Sequence, residues 1–269
     1  MSPHASASPS ATLTALLRTL RLPTFAACHA EIAVRAEREN WSFGQALLHL
    51  SEMEVHERRE RRIERALKAS HLPLDKTLSS LDRKLLPPKA RTQLASLCEA
   101  DFVLRAENVL VFGLPGRGKS HFCAALGHEL VRRGHTVLFT PTYQLVQQLL
   151  RAKRDLTLER ELARLDAFDA VILDDLGYVQ QDRDEMEVLF TFLAERYERK
   201  SVLITSNLVF SQWDRIFKDP MTTAAAIDRV VHHAVIVELT GRSVREEAAQ
   251  SRNSPATTTN DNNQPDGEV

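Results

Sequence analysis

Residues 108–126 read NVLVFGLPGRGKSHFCAAL, and this stretch decides the fold. A short apolar run, Val109 to Phe112, enters a glycine-rich turn, and a helical segment, His121 to Arg133, leaves it. The turn, Gly113-Leu-Pro-Gly-Arg-Gly118-Lys119-Ser120, matches GxxxxGK[ST] without mismatch. Glycines let a backbone curl until several N–H groups point at one anion, and the helix that follows adds its positive end. Gly113, Pro115, Gly116, Arg117 and Gly118, with Lys119, Ser120 and His121 at the helix start, are therefore the candidate phosphate-binding residues. Lys119 is expected to reach the β- and γ-phosphates, and the Ser120 hydroxyl to ligate Mg²⁺. A glycine-rich turn that merely precedes a helix is the competing reading.

Outward from this loop, residues 106–240 alternate short apolar runs with longer amphipathic segments. The runs predict strands at Asn108–Phe112, Thr136–Thr140, Ala170–Leu173, Val202–Thr205 and Val235–Leu239. Strands separated by helices imply βαβ units, and hence a parallel α/β sheet covered on both faces. The ends of parallel strands line the ligand crevice. The run ending in Asp174-Asp175 would then bring two carboxylates to the phosphates: Asp174 to hold Mg²⁺, Asp175 to orient and deprotonate water. The run ending in Ser206-Asn207 could offer an amide to that water or to the γ-phosphate, although strand ends favour asparagine anyway.

Before residue 106 the pattern is helical, with no convincing strand from 12 to 105. Ser42-Phe43-Gly44-Gln45 reads as a capping box. The punctuation at Leu86-Pro-Pro predicts a boundary between a helical extension, 12–85, and an ATPase domain, 86–248. Residues 1–11 and 249–269 read as disordered from their Ser, Ala, Pro, Asn and Thr content. Arg58, Arg61, Arg62, Arg65 and Lys68 share one helical face that could lie on phosphates. Glu54, Glu57 and Glu64 stand four residues before Arg58, Arg61 and Lys68, so on charge alone an ordinary ion-paired surface is the favoured reading. His232-His233, adjacent on a helix and remote from any cysteine or carboxylate cluster, reads as a helix-terminal pair.

Composition sets outer limits. The net charge of −1 gives no global hint of a nucleic-acid partner, so any basic surface must be local. Three cysteines without a CxxC pair argue against metal or disulfide frameworks and fit a reducing cytoplasm. No apolar run approaches the roughly 18 residues of a membrane span. The first acid is Glu31, but Arg18 and Arg21 interrupt the early apolar run, which disfavours a targeting peptide.

The segments GLPGRGKSHFCAALG, VLFTPTYQLVQQL, DAVILDDLGYV, LFTFLAERYERKSVLITSNLVFSQW and DPMTTAAAIDRVVHHAVIVELTGRSVR together resemble AAA+ ATPases. The finer resemblance is to IstB-type helper ATPases of insertion sequences and to DnaC-type helicase loaders. LRLPTF and HERRERRIERALKASHLPLDKTL look like the IstB helical extension. The resemblance implies a five-stranded parallel sheet in AAA+ order. It gives Lys119 and Ser120 the Walker A roles, Asp174 and Asp175 the Walker B roles, and Asn207 the first-sensor role. Arg229 matches an arginine finger acting across a subunit interface; Arg245 is a weaker candidate for a second sensor. Implied too are ATP and Mg²⁺ as cofactors, double-stranded DNA and an IstA-like transposase as partners, a homo-oligomer bridged by ATP, and no membrane. Two departures stand out. Asp175 replaces the glutamate common in AAA+ proteins, which predicts slower turnover, and the chain after the last strand is too short for a lid domain. The alternatives are a helicase loader, an adaptor that binds ATP with little turnover, and a small-molecule kinase, for which no acceptor pocket is evident.

Overall fold

The computed structural model describes residues 9–178, 183–213 and 220–240. The chain divides into two compact units between Ala69 and Ser70.

The first unit is helical: α1 (Pro9–Thr19), α2 (Pro23–Arg38) and α3 (Phe43–Ser70). Helix α1 starts inside the stretch read as disordered, because Pro9 supplies the φ that a first helical residue needs. Helix α2 starts at a proline and has no side-chain cap of its own. Its cap comes from α3: Glu54, 3% exposed, accepts the Thr24 N–H at 2.8 Å. The same carboxylate takes the Arg58 Nε–H at 2.7 Å. The capping box of α3 forms reciprocally, Ser42 N to Gln45 Oε1 at 2.7 Å and Gln45 N to Ser42 Oγ at 3.3 Å.

The second unit begins earlier than the prolines at 87–88 announce. Leu72 is 5% exposed and fills the space above Gly127, where a Cβ would come within 2.7 Å of its Cδ2. His128 Nε2 lies 2.9 Å from the Pro73 carbonyl. Packing, not punctuation, thus assigns residues 70–86 to this unit. Short helices α4 (Pro88–Leu97) and α5 (Asp101–Leu104) lead into β1 (Asn108–Phe112).

There follow α6 (Lys119–Arg132), β2 (Val137–Pro141), α7 (Thr142–Arg154), α8 (Leu158–Asp166) and β3 (Ala170–Asp174). The unit continues with α9 (Arg183–Arg196), β4 (Ser201–Ser206), α10 (Pro220–Val231) and β5 (Ala234–Glu238). All five expected strands are present, and they form one parallel sheet in the order β2-β3-β4-β1-β5.

Strand periodicity of two sorts the core. Leu110, Phe112, Val171, Leu173, Val202 and Ile204 pack with α7, α8, α9 and α10. The alternate residues face the other way; Ile172 Cδ1 meets α6 at Gly127. Asp174 and Thr205 fall on this second face, together with the helix that follows the phosphate loop. At the other end of the strands the Arg196 guanidinium, 2% exposed, donates to the carbonyls of Leu165, Phe168, Asp169 and Ser201 at 3.0–3.3 Å. Burial pushes its pKa down to about 10, which leaves it charged at neutral pH.

Candidate functional site

The phosphate loop leaves β1 at the centre of the crevice, with β4 and β5 as its neighbours. Gly113 touches the end of β5 so closely that a Cβ would lie 2.6 Å from the Leu239 carbonyl oxygen. Gly116 and Gly118 both have φ +80°, a left-handed conformation that a side chain disfavours. Lys119 is buried, and its ammonium donates to the Leu114 carbonyl at 3.1 Å, across the mouth of its own loop. Ser120 is half-buried in the first turn of α6. The His121 ring turns away to Thr77 O and Ser80 Oγ, both at 3.1 Å, tying residues 77–80 to the helix start. Pro115 is exposed.

The acidic pair sits two strands away, where β3 ends. The register Leu173↔Ile204 puts Thr205 of β4 beside Asp174. The Thr205 hydroxyl donates to Asp174 Oδ1 at 2.6 Å and accepts the Asp175 N–H at 2.8 Å. Thr142 Oγ donates to the Asp174 carbonyl at 2.9 Å. Asp174 therefore has a fixed orientation before any ligand arrives. It also faces α6: burial first, and then the Asp174 charge, push the Cys123 thiol well above its ordinary value. Cys123 lies one helical turn past Ser120, so the carboxylate and the loop's helix are neighbours. Asp175 is exposed and holds φ +59°, strain of the kind that collects at functional sites.

Asn207 follows β4. Gly177, in the turn after Asp175, lies so close that a Cβ there would collide with Asn207 Oδ1. Asn207 and Arg117 line one cleft of about 600 Å³ with Phe112, Gly113 and Leu239. Within it Asn207 Oδ1, an acceptor, and Arg117 Nη1, a donor, are buried without a hydrogen-bond partner among the described residues. Buried polar groups are normally satisfied. Two orphans of opposite sense beside a loop of left-handed glycines fit a polar, phosphate-bearing ligand that supplies the missing bonds.

The loop residues, Asp174, Asp175 and Asn207 thus come together at the ends of adjacent strands β3, β4 and β1. Arg229 stands apart. On α10, its guanidinium lies 4.6 Å from the Phe190 ring of α9 and donates to the Ala225 carbonyl at 3.4 Å. Arg245, the tail at 249–269, residues 1–8 and the expected absence of a lid all concern residues outside those described. Thr205, Thr142 and Gly177 join the site with no sequence motif to mark them. Strand periodicity could have found Thr205, which shares the face of Asp174.

Among the described residues no helix is long and apolar enough to cross a membrane. A family model described as IstB-like ATP binding protein matches residues 15–252. An insertion-sequence ATP-binding protein of Sinorhizobium fredii (strain NBRC 101917 / NGR234) is 45% identical over 246 residues, covering 90% of this chain and 83% of the relative. The IS21 ATP-binding protein of Pseudomonas aeruginosa is 34% identical over 233 residues, covering 87% of this chain and 88% of the relative. Two solved structures share the fold. DnaI has a TM-score of 0.53 at 22% identity, covering 64% of this chain and 96% of its own. DnaA from Aquifex aeolicus bound to AMPPCP has a TM-score of 0.55 at 18% identity, covering 68% of this chain and 56% of its own. Because the family match runs through the helical extension as well as the α/β unit, the chain belongs to the IstB-like ATP-binding proteins.

Proposed function

We propose that this protein is a Mg²⁺-dependent ATPase that assembles on double-stranded DNA and there recruits or activates the transposase of its insertion sequence. The observation that carries the catalytic half is the Thr205 hydroxyl holding both ends of the acidic pair, next to the orphaned Arg117 and Asn207. Loop amides, Arg117 and Lys119 bind the phosphates of ATP. Ser120 and Asp174 would hold Mg²⁺, which would supply positive charge to neutralise the phosphates. Asn207 orients a water; Asp175 takes its proton as the water oxygen bonds to the γ-phosphorus and the bond to the β–γ bridging oxygen breaks. Arg229 of a neighbouring copy stabilises the charge spread over the transferred group. ATP then bridges two copies, and loss of the γ-phosphate weakens that interface. The work takes place in the cytoplasm, where the insertion sequence's DNA lies.

Support for the DNA half comes from the helical unit. Glu54–Arg58, Glu57–Arg61 and Glu64–Lys68 do form, at 2.7, 3.7 and 2.7 Å, so part of the α3 charge is neutralised locally. But Arg18 and Arg21, from α1 and the turn after it, join Arg58, Arg61, Arg62 and Arg65 around one open pocket of about 640 Å³. Six arginine side chains, two of them paired with Glu54 and Glu57, make a local basic surface on a chain of net charge −1, and phosphate is what such a surface takes. The names of the relatives place those proteins on insertion sequences.

The test is duplex DNA binding and particle size with ATP, with ADP and with Lys119→Ala. A large DNA-bound assembly that needs ATP and is lost in Lys119→Ala is the expected result. A chain that stays small and ignores DNA with either nucleotide overturns the proposal.

A further inference from the structure

Helix α10 ends at Val231, so His232 and His233 do not point apart along a helix; they sit in the turn before β5 with ring centroids 4.3 Å apart. A carboxylate also meets them. The turn that leaves α9 brings Glu198 Oε1 to 3.7 Å from His232 Nδ1 and 3.7 Å from His233 Nε2. Glu198 holds φ +56°, in a helix-end position that usually selects glycine.

Neither 3.7 Å separation is a hydrogen bond. The three groups surround a point instead of bonding to one another. One ligand atom from each lies within 4.8 Å of the others, and all three residues are exposed. Four-coordinate Zn²⁺, with N and O ligands at about 2.0–2.2 Å, needs ligand atoms about 3.4 Å apart, so small rotamer changes close the set. Tyr197 Oη lies 2.7 Å from His232 Nδ1. A metal bound at His232 Nδ1 takes the place of this contact.

We propose that Glu198, His232 and His233 form a binding site for a divalent metal of the zinc class, with water in the fourth position. Two imidazoles and one carboxylate are a donor set for zinc, whereas magnesium requires oxygen ligands. The site is separate from the nucleotide crevice: Glu198 precedes β4 and His233 precedes β5, at the strand ends opposite the phosphate loop. His233 is anchored by its carbonyl, which accepts the Asn108 N–H at 2.7 Å. A bound ion would clip the α9–β4 turn to the α10–β5 turn. Arg229 lies one helical turn before His232, so the ion would also fix the end of the helix that carries it.

Zn²⁺ titrated into the full chain without nucleotide, followed by calorimetry, tests the site. One ion per chain is expected, with affinity falling at least about tenfold in Glu198→Gln, His232→Ala and His233→Ala and unchanged in Lys119→Ala. Zn²⁺ is also expected to raise the Tm of the parent chain and not that of the triple variant. Co²⁺ on the parent chain gives a readout that needs no variant: absorption bands of a four-coordinate site are expected. Equal Zn²⁺ affinity in parent and triple variant, or only six-coordinate Co²⁺, overturns the proposal.

Discussion

The Thr205 hydroxyl donates to Asp174 Oδ1 at 2.6 Å, and it does so from a different strand. Thr205 is fully buried, so its hydroxyl cannot exchange this bond for water. Thr205→Val keeps the shape and removes the donor. Outer-shell partners of this kind are worth about 10–100-fold. ATP turnover in Thr205→Val is expected to fall by about that factor, with the Mg²⁺ dependence moved to higher concentration. Steady-state ATPase measured across a Mg²⁺ series checks it; full turnover at every Mg²⁺ concentration would detach Thr205 from the site.

Gly177→Ala places a methyl group where Asn207 Oδ1 now sits. The colliding atom is the tip of a side chain, so the fold gives way cheaply and Asn207 moves. Turnover should drop as it does in Asn207→Ala, while Tm changes little. The double variant is expected to be no slower than either single one, the non-additivity of two changes acting through one group. Additive losses would separate the two residues.

Arg196→Met removes a buried cation that satisfies four carbonyls. Stranding those acceptors should cost about 1–3 kcal/mol, the penalty for leaving a buried acceptor unsatisfied. Arg196→Lys is expected to recover little, since one ammonium cannot replace the planar fork. Chemical denaturation of each variant measures the loss. A cost below about 1 kcal/mol would mean that water replaces the guanidinium.

Asp169 accepts from Thr136 N, Thr136 Oγ and Lys200 Nζ at 2.8–3.0 Å. Partial burial raises its pKa, but the Lys200 and Thr136 bonds outweigh it and hold the carboxyl below its ordinary value of 3.8. The unfolded chain therefore binds the proton more readily. The stabilisation is present above that ordinary value and is lost as pH falls through the lower folded one. Because Asp169 is about a third exposed, the effect should be about 1 kcal/mol or less. Asp169→Asn is expected to flatten that part of the stability–pH curve; an unchanged slope would exclude this carboxylate as its source.

The basic pocket of the helical unit predicts a salt signature. Arg18→Ala and Arg65→Ala should each weaken duplex binding whatever the sequence, and each should lower the slope of log affinity against log salt by about one. Affinity unchanged by both would move the DNA contact elsewhere.

The strands and the phosphate loop were legible in the sequence because each is a local pattern: an apolar run that ends in a motif. All five strands lie within two residues of where the apolar runs put them at either end. The capping box and the three ion pairs of α3 were legible for the same reason, since helical spacing alone brings such residues together. What could not be read depends on register between strands or on packing between distant segments. Thr205 becomes a site residue only when β4 lies beside β3. Arg196, within AERYERKS, looks like a surface residue until its helix is laid across the strand ends. His232 and His233 gain Glu198 only through the meeting of two turns. Leu72, beyond the last turn of α3, passes for linker until it finds Gly127.

The cap that Glu54 places on helix α2 has a consequence for synthesis. Thr24 leaves the ribosome thirty residues ahead of the carboxylate that caps the start of its helix. Until α3 has emerged, the start of α2 carries only Pro23 and no acceptor for its next amides, and a helix of sixteen residues is marginal alone. The N-terminal helices should therefore appear together as α3 is completed, not one after another, and a nascent chain stopped before Glu54 should present α2 as coil.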